Sequence, residues 1–304
     1  VRGAKARPVI PVGALPALAA LCDEIDAPRP PGFERLAPLL AGFEGIPEAD
    51  LPRALTATLR PYQKQGVSWL AFLRDAGLGA VLADDMGLGK TLQALAAVKG
   101  RTLVVSPRTA VFNWESEIAR FRPDLAVSVY HGPRRAFDAR ADVTLTTYAV
   151  LRLDIEALAA EKWDSIVLDE AQLIKNPDSQ VARAAYRLPG AFRVALSGTP
   201  VENRLGDLWS IMEFTNPGLL GAAEKFRTSF AVPVERHGDE EAAARLKRLT
   251  GPFILRRLKT DRSIISDLPD KIEMKVWCNL TPEQASLYQA TVADMLERIE
   301  SAEA

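Results

Sequence analysis

The sequence is poor in the residues that usually build metal centres and disulfide frameworks. Its 304 residues include 2 cysteines and 2 histidines, and Cys22 and Cys278 lie too far apart in sequence to form a local zinc knuckle. A zinc site is therefore not expected, and both cysteines are interpreted as packing or surface residues. His131, in the stretch "VYHG", is interpreted as a turn residue rather than a catalytic one.

Long apolar runs and an excess of positive charge are also lacking. No stretch approaches the roughly 18 apolar residues of a membrane helix, and the first residues lack the apolar core of a signal peptide. We therefore expect an intracellular protein that does not enter membranes. The formal net charge is −1, which argues against binding nucleic acid through overall positive charge but leaves a local basic face open.

Three regions differ in sequence pattern. Residues 1–54 hold many prolines, which break helices and remove sheet donors, so only short helices are expected there. Residues 55–224 alternate short apolar runs with helical patterns, which predicts an α/β fold with a parallel sheet covered by helices on both faces. Residues 225–304 carry a helical, basic pattern, and the last helix is predicted to begin with a capping box in which Thr281 is the N-cap and Gln284 its partner.

The apolar runs share a second property, because each ends in small, polar or charged residues. Ligands of open parallel sheets bind outside the carboxyl ends of the strands, so these ends are expected to line one crevice. The runs are "GAVLAD", "TLVVSP", "AVSVYHG", "VTLTTY", "SIVLDEA" and "RVALSGT".

The stretch "LADDMGLGKT" resembles a phosphate-binding loop. Gly89, Lys90 and Thr91 fit the end of the general pattern, whereas Asp84 occupies the place of its first glycine and Gly87 partly compensates. Such a loop wraps backbone N–H groups around phosphate, with the lysine at the β/γ-phosphates and the threonine hydroxyl on Mg²⁺. The alternative is a glycine-rich turn between a strand and a helix.

An adjacent acid pair at the end of "SIVLDEAQ" supplies the second half of such a site. Hydrolysis requires both a metal and an attacking water to be positioned. We assign Asp169 to the metal and Glu170 to the water as general base, with their side chains diverging. Taken alone, the pair is also compatible with acids at a helix start.

Several motifs in order resemble the Swi/Snf family of superfamily-two helicase-like ATPases, which have a RecA-like first lobe. The resemblance covers nearly everything from Leu59 to about Tyr288 and implies that the cofactors are ATP and Mg²⁺. The motifs are "LRPYQKQGVSWL", "DDMGLGKT", "LVVSPRTAVFNWESEI", "TTYAVL", "LDEAQLIKN", "LSGTPVENRLGDLW", "FILRRLKTD" and "LPDK".

The resemblance implies a role for each matching residue. Gln63 is expected to read the adenine edge, with Arg60 and Tyr62 shaping its pocket. Phosphate contacts to one strand of double-stranded DNA are expected from Arg108, Asn113, Thr146 and Thr147. The remaining nucleotide-binding residues are Asp85, Met86, Gly87, Leu88, Gly89, Lys90 and Thr91, and the residues expected to couple the nucleotide to DNA are Gln172, Ser197, Gly198 and Thr199.

Two aromatic residues and one basic stretch carry alternative interpretations. Trp114 and Trp209 are interpreted as core residues. The basic stretch is either a solvated helix face or part of a helical protrusion in which some side chains meet DNA or the ATP site. Its members are Arg245, Lys247, Arg248, Arg256, Arg257, Lys259 and Arg262.

Two features depart from the family pattern. Gln172 replaces the usual histidine of the "DEAH" tetrad and cannot titrate, so coupling of hydrolysis to movement is expected to be altered. No motif of a second RecA-like lobe is recognised, so the chain looks like a piece of a longer protein. Loss of an arginine finger from that lobe would cost roughly 10³ to 10⁵ in turnover, so weak nucleotide binding with negligible hydrolysis is expected.

The resemblance implies a DNA-stimulated ATPase that moves along duplex DNA and remodels a DNA-bound protein complex. A strand-separating helicase and a nucleotide-gated DNA-binding scaffold with little catalysis are the alternatives. The Ala/Arg/Leu-rich composition hints at a bacterial source, which would place the protein in the cytoplasm at the nucleoid, or in the nucleus if the source is eukaryotic.

Overall fold

The computed structural model describes residues 43, 45–198, 204–261 and 281–302. Within these residues every strand pairing is parallel. The strands are β1 Ala80–Leu82, β2 Thr102–Ser106, β3 Val127–Val129, β4 Val143–Thr147, β5 Trp163–Asp169, β6 Gly190–Leu196 and β7 Ile254–Leu255. They form one sheet in the order β3-β4-β2-β5-β6-β1-β7.

The strands predicted from the six apolar runs are confirmed as β1 to β6. The inner strands β2 and β4 are buried at every residue, including Thr102 and Ser106, as expected of strands covered on both faces. The edge strand β3 is much less buried, because Val127 and Val129 are exposed. The sheet is therefore the predicted α/β core, with its most buried strands at the centre.

Helices flank the sheet in two groups. The first group packs α1 against α2 and α2 against α3, whereas the second joins α4, α5, α6 and α7. Further helices are α8, α9 and α10, with a π-helical turn at Arg227–Ala231 and 3₁₀ turns at Ala171–Ile174 and Gly251–Phe253. The bounds are α1 Pro61–Asp75, α2 Lys90–Ala97, α3 Arg108–Phe121, α4 Tyr148–Leu153, α5 Ile155–Ala160, α6 Gln180–Arg187, α7 Leu205–Thr215, α8 Ala223–Phe226, α9 Val232–His237 and α10 Glu240–Thr250.

Strand β7 corrects the prediction that residues 225–304 are helical. Ile254 and Leu255 pair with Val81 and Leu82 of β1, so this stretch returns to the sheet beside the first strand. Helix α10 ends at Thr250 because Gly251 and Pro252 follow, and proline cannot continue a helix. The chain that leaves the helices therefore runs along the start of the "LADDMGLGKT" loop.

Helix α11, Pro282–Ala302, belongs to a second compact unit. Its predicted capping box is confirmed, because Gln284 N donates to Thr281 Oγ1 at 3.3 Å and Thr281 N donates to Gln284 Oε1 at 3.1 Å. The predicted short helices before residue 43 and the "LPDK" turn lie outside the described residues. The proposed domain boundaries remain predictions.

No helix among the described residues combines the length and the apolar character that crossing a bilayer demands.

The chain enters β1 through a tight contact with the end of α7. Gly79 N donates to Asn216 Oδ1 at 3.0 Å, and Asn216 Nδ2 donates back to Gly79 O at 3.1 Å. A methyl group on Gly79 would lie 2.2 Å from the backbone oxygen of Thr215 and 2.9 Å from that of Arg193. Only glycine fits between these backbone atoms, so Asn216 holds the first strand in place through it.

Replacing Gly79 with alanine should therefore destabilise the fold by about 3 kcal/mol, the upper end of typical overpacking costs. Urea unfolding followed by circular dichroism measures the change. Gly206→Ala is the matched control, because Gly206 lies in α7 with open space around it and alanine favours helix. Equal stability of the two variants would contradict this account of the strand entry.

Candidate nucleotide-binding site

The site lies where three neighbouring strands end. In the sheet register, Leu82 at the end of β1 and Asp169 at the end of β5 both pair with Leu196 of β6. The loop of residues 83–89 follows β1, and Ser197 follows β6. The predicted gathering of strand ends at one edge is confirmed for these strands.

Two glycines shape the loop. Gly87 and Gly89 have φ angles of 81° and 75°, in the left-handed region that glycine adopts without a steric penalty. Gly89 is also the N-cap of α2, and a methyl group on it would lie 2.6 Å from Gln63 Nε2. The loop thus needs glycine at residue 89 for its conformation and for the close approach of α1.

Lys90, the first residue of α2, folds back onto the loop. Its Nζ donates to the backbone oxygens of Asp84 at 2.7 Å and Asp85 at 3.4 Å. Burial lowers the pKa of Lys90, and the nearby carboxylates, Asp84 foremost, oppose that shift. The amine is thus directed by loop carbonyls into a cluster of acids, where an anionic phosphate would find a desolvated cation.

Asp84, which replaces the usual first glycine, is a fully buried ion-pair partner of Arg257. Its Oδ1 accepts from Arg257 Nε at 2.9 Å and from Arg257 N at 3.1 Å, and its Oδ2 pairs with the same guanidinium. Gln93 Nε2 also donates to Asp84 Oδ2 at 3.2 Å. The interpretation of the basic stretch as a solvated face is wrong for Arg257, whose side chain is inside, whereas Arg256 is exposed.

Residues at the start of α1 hold the far side of the loop. Tyr62 Oη donates to Leu88 O at 3.3 Å and Gln63 Nε2 donates to the same oxygen at 3.2 Å. Gln63 Oε1 accepts from Arg60 N at 3.0 Å. Gln63 is therefore buried and engaged with the loop backbone, and its reading of adenine stays a prediction.

The acid pair at the end of β5 is held in a distinctive backbone conformation. Glu170 has a φ of 53°, which is rare for a residue with a side chain and separates the direction of its side chain from that of Asp169. Asp169 Oδ1 accepts from Glu170 N at 3.0 Å, and its Oδ2 accepts from the Trp114 indole at 2.9 Å. Burial raises the pKa of Asp169, and the Trp114 donor lowers it.

Gln172 connects the acid pair to the strand beside it. Its Nε2 donates to Glu170 Oε2 at 2.6 Å, and its Oε1 accepts from Ser197 Oγ at 2.9 Å. A neutral glutamine thus donates to one neighbour and accepts from the other. The structure brings these three predicted residues together, places Gly198 beside Met86, and leaves Thr199 outside the described residues.

The four candidate DNA contacts separate into two kinds. Arg108 and Asn113 on α3 are exposed. Thr146 and Thr147 are buried, and both hydroxyls have partners within the fold: Thr146 Oγ1 donates to Tyr130 O at 2.9 Å, and Thr147 Oγ1 caps α4 by accepting from Val150 N at 3.3 Å. The two threonine hydroxyls are thus used by the fold, and the exposed pair remains as the candidate phosphate ligands.

Sequence reasoning missed three contacts around Asp169 and Thr91. The Thr91 side chain lowers the pKa of the Glu117 carboxyl, whereas burial first and then the charge of Asp169 raise it. Tyr148 Oη donates to Asp169 O at 2.7 Å. Trp114 is buried, as predicted for core, yet also orients Asp169. The sequence could have indicated that Glu117 lies near Asp169, because in "NWESE" it is one helical turn after Trp114 and therefore on the same helix face.

These donors suit Mg²⁺, which is typically held by one or two carboxylates together with water and phosphate oxygens. Asp169 and Thr91 present a carboxylate and a hydroxyl near the loop lysine. Among the described residues no group of three or more His, Cys, Asp or Glu forms a ready-made metal cage. The donor set therefore fits a magnesium ion bound jointly with a nucleotide.

A phosphate-binding loop that faces an acid pair across a parallel sheet defines a RecA-like lobe. Residues 62–304 match the family model described as the SNF2-related domain, and the chain belongs to this family. A solved structure described as the Sulfolobus solfataricus SWI2/SNF2 ATPase core in complex with dsDNA is 46% identical, with a TM-score of 0.70. The match covers 84% of this chain and 56% of that one.

Two curated relatives give the same family. The protein YwqA of Bacillus subtilis (strain 168) is 43% identical over 278 residues, a match that covers 86% of this chain and 30% of YwqA. The chromatin-remodeling ATPase INO80 of Pyricularia oryzae is 34% identical over 290 residues, covering 84% of this chain and 15% of INO80. The chain therefore spans less than a third of either relative.

The Asp84–Arg257 pair should be costly to break from one side. Arg257→Met leaves a buried carboxylate without its partner, and the expected loss is about 3–5 kcal/mol of unfolding free energy, measured in urea. The exposed neighbour provides the control, because Arg256→Met should change stability by less than about 0.5 kcal/mol. The double variant Asp84→Asn/Arg257→Met should regain part of the loss, and a neutral Arg257→Met would contradict the role of the pair.

The Trp114 indole should hold the pKa of Asp169 below the value that burial alone would set. Trp114→Phe removes the donor, so the pKa of Asp169 should rise further and the carboxylate should protonate at a higher pH. Carbon-detected NMR titration of the carboxyl groups measures the shift. Trp209→Phe is the control, because that indole donates to Gly221 O at 3.0 Å and to no carboxylate; a matching shift in both variants would sink the assignment.

Proposed function

We propose that the chain is the ATP-binding lobe of a DNA-dependent ATPase that moves along double-stranded DNA and remodels bound protein complexes. One observation carries the proposal: the loop from Gly87 to Thr91 and the pair Asp169–Glu170 follow β1 and β5, the two strands that flank β6 in one parallel sheet. This is the arrangement that phosphoryl transfer requires, since phosphate and attacking water must be held at the same edge. Family membership and the likeness to a DNA-bound core support the assignment.

The roles follow from the contacts. Lys90 neutralises phosphate charge, and its release from the carbonyls of Asp84 and Asp85 accompanies binding. Magnesium, when bound with the nucleotide, would be held by Thr91 and Asp169 and would supply charge neutralisation. Glu170 orients and deprotonates the attacking water as general base.

Coupling of the nucleotide to movement is assigned to the chain of hydrogen bonds from Glu170 through Gln172 to Ser197. A change at the acid pair alters the partner of Gln172 and hence the segment after β6. Because Gln172 carries no titratable proton, it adds no protonation step of its own to this link. Arg108 and Asn113 are the candidate phosphate contacts to DNA, and contacts to phosphate carry no sequence information directly.

Hydrolysis is expected to need a second lobe that supplies further cations to the transferred phosphate. In other phosphoryl-transfer enzymes an arginine finger, which is a cation of this kind, increases turnover by a factor of roughly 10³ to 10⁵. The chain alone should therefore bind ATP weakly and release phosphate at a negligible rate with or without DNA.

Two variants separate binding from chemistry. Lys90→Ala should lower ATP affinity by at least about tenfold, because a charged phosphate contact is lost, whereas Glu170→Gln should leave affinity within about threefold. Fluorescent ATP titration of this chain measures both. In the longer protein that contains a second lobe, Glu170→Gln should abolish DNA-stimulated phosphate release, and equal turnover of the variant and the unsubstituted protein would refute the general-base role.

Strand displacement on the longer protein distinguishes a translocase from a helicase. We expect ATP hydrolysis and displacement of a DNA-bound protein without separation of the strands. Unwinding of duplex DNA would favour the strand-separating alternative, and binding of DNA without hydrolysis would favour a nucleotide-gated scaffold.

A further inference from the structure

The segment after β7 follows the nucleotide loop residue by residue. Ala83 N donates to Leu255 O at 2.7 Å, and Asp85 N donates to Arg257 O at 3.0 Å. Lys259 N then donates to Asp85 Oδ2 at 2.9 Å. Residues 255–259 are therefore registered against the beginning of the loop by backbone contacts and not only by side chains.

Arg257 fixes this register from inside the fold. Besides its pairing with Asp84, its guanidinium donates to Gln93 Oε1 at 2.6 Å and to Tyr62 O, and it lies 5.1 Å from the centre of the Tyr62 ring. Gln93 belongs to α2 and Tyr62 to α1. The segment is thus anchored to both helices that frame the loop, two residues before Lys259.

Lys259 extends from this anchor over the loop itself. Its side chain is exposed, and its amine approaches Gly87 so closely that a methyl group on Gly87 would lie 3.0 Å from Lys259 Nζ and 3.5 Å from its Cε. Apart from Gly87 and its chain neighbours Met86 and Leu88, no other atom of the described residues comes within 4 Å of that position. The amine therefore covers the open face of the loop at its central glycine.

The groups around the loop carry an excess of negative charge, which favours a second cation beside Lys90. Carboxylates of Asp84, Asp85, Asp169 and Glu170 all act on Lys90. The Arg257 guanidinium is already paired with the carboxylate of Asp84, so it is not available to neutralise further negative charge at the loop. A nucleoside triphosphate adds several more negative charges, which favours an additional mobile cation at the loop.

We infer that Lys259 is a second phosphate-binding residue, which reaches across Gly87 to the β/γ-phosphate end of a nucleoside triphosphate. The inference rests on the proposed function and deepens it, because it adds a ligand from the segment after β7 to the cradle formed by the loop and Lys90. A flexible lysine suits this place, since its amine acts as a compact point charge that follows the phosphate. It also gives the nucleotide a direct contact with the basic segment.

Nucleotide titrations of this chain test the inference, with fluorescent ATP and ADP as the probes. Lys259→Gln should weaken ATP binding by about 3- to 10-fold, the range expected when an exposed charge-assisted phosphate contact is removed, and should weaken ADP binding less. Lys259→Arg should retain most of the ATP affinity. Unfolding midpoints should be unchanged, because the side chain is exposed.

Lys247→Gln is the matched control, since it removes the same charge from an exposed lysine on α10. It should bind ATP like the unsubstituted chain. If Lys90→Ala weakens binding while Lys259→Gln and Lys247→Gln both match the unsubstituted chain, the inference is overturned and the proposed function stands. If the unsubstituted chain binds no ATP, the proposed function fails and takes this inference with it.

Discussion

The buried ion pair of Asp84 and Arg257 is the interaction on which the site depends. It joins the first strand to a segment more than 170 positions later in the chain. Asp84 takes the place of a glycine, and its carboxylate would strongly destabilise the fold if it had no partner, because burying an isolated carboxylate costs several kcal/mol. The guanidinium offsets that cost and at the same time bonds Gln93 and the backbone of Tyr62. The loop, α1 and α2 therefore share one electrostatic anchor.

Around that anchor, neutral hydrogen bonds set the finer geometry. Leu88 O accepts hydrogen bonds from the side chains of Tyr62, Gln63 and Gln93. This one carbonyl therefore fixes the position of the loop relative to both flanking helices. On the other side of the crevice, Asp169 takes a donor from α3 at its carboxylate and another from Tyr148 at its backbone oxygen. The two exposed DNA candidates lie on α3 as well. A displacement of that helix by a bound DNA strand would thus reach Asp169, the proposed metal ligand, through Trp114.

Much of this arrangement could be predicted from the sequence, because strands that are buried on both faces produce continuous apolar runs and polar ends. Those signals gave β1 to β6, the loop and the acid pair. The two-residue strand β7 could not be found in this way, since "IL" between a helix and a basic stretch has no periodicity. The partner of Asp84 was also hidden: an arginine in "LRRLK" resembles a solvated residue until the fold brings it to a carboxylate. Likewise, "TTY" resembles a polar surface, yet the Thr147 hydroxyl caps a helix and the Thr146 hydroxyl donates to the backbone oxygen of Tyr130, the residue after β3.

The contacts of Lys90 set a condition on affinity. Its amine is already satisfied by the backbone oxygens of Asp84 and Asp85. A phosphate must compete with these oxygens, so the measured binding free energy is an exchange energy and not the full strength of an ammonium–phosphate contact. Selectivity follows from the same exchange: a weakly charged anion such as chloride gains little by displacing two carbonyls, whereas a polyphosphate gains enough. Under the proposed function, the loop would therefore discriminate between anions by their charge before any base or sugar is recognised.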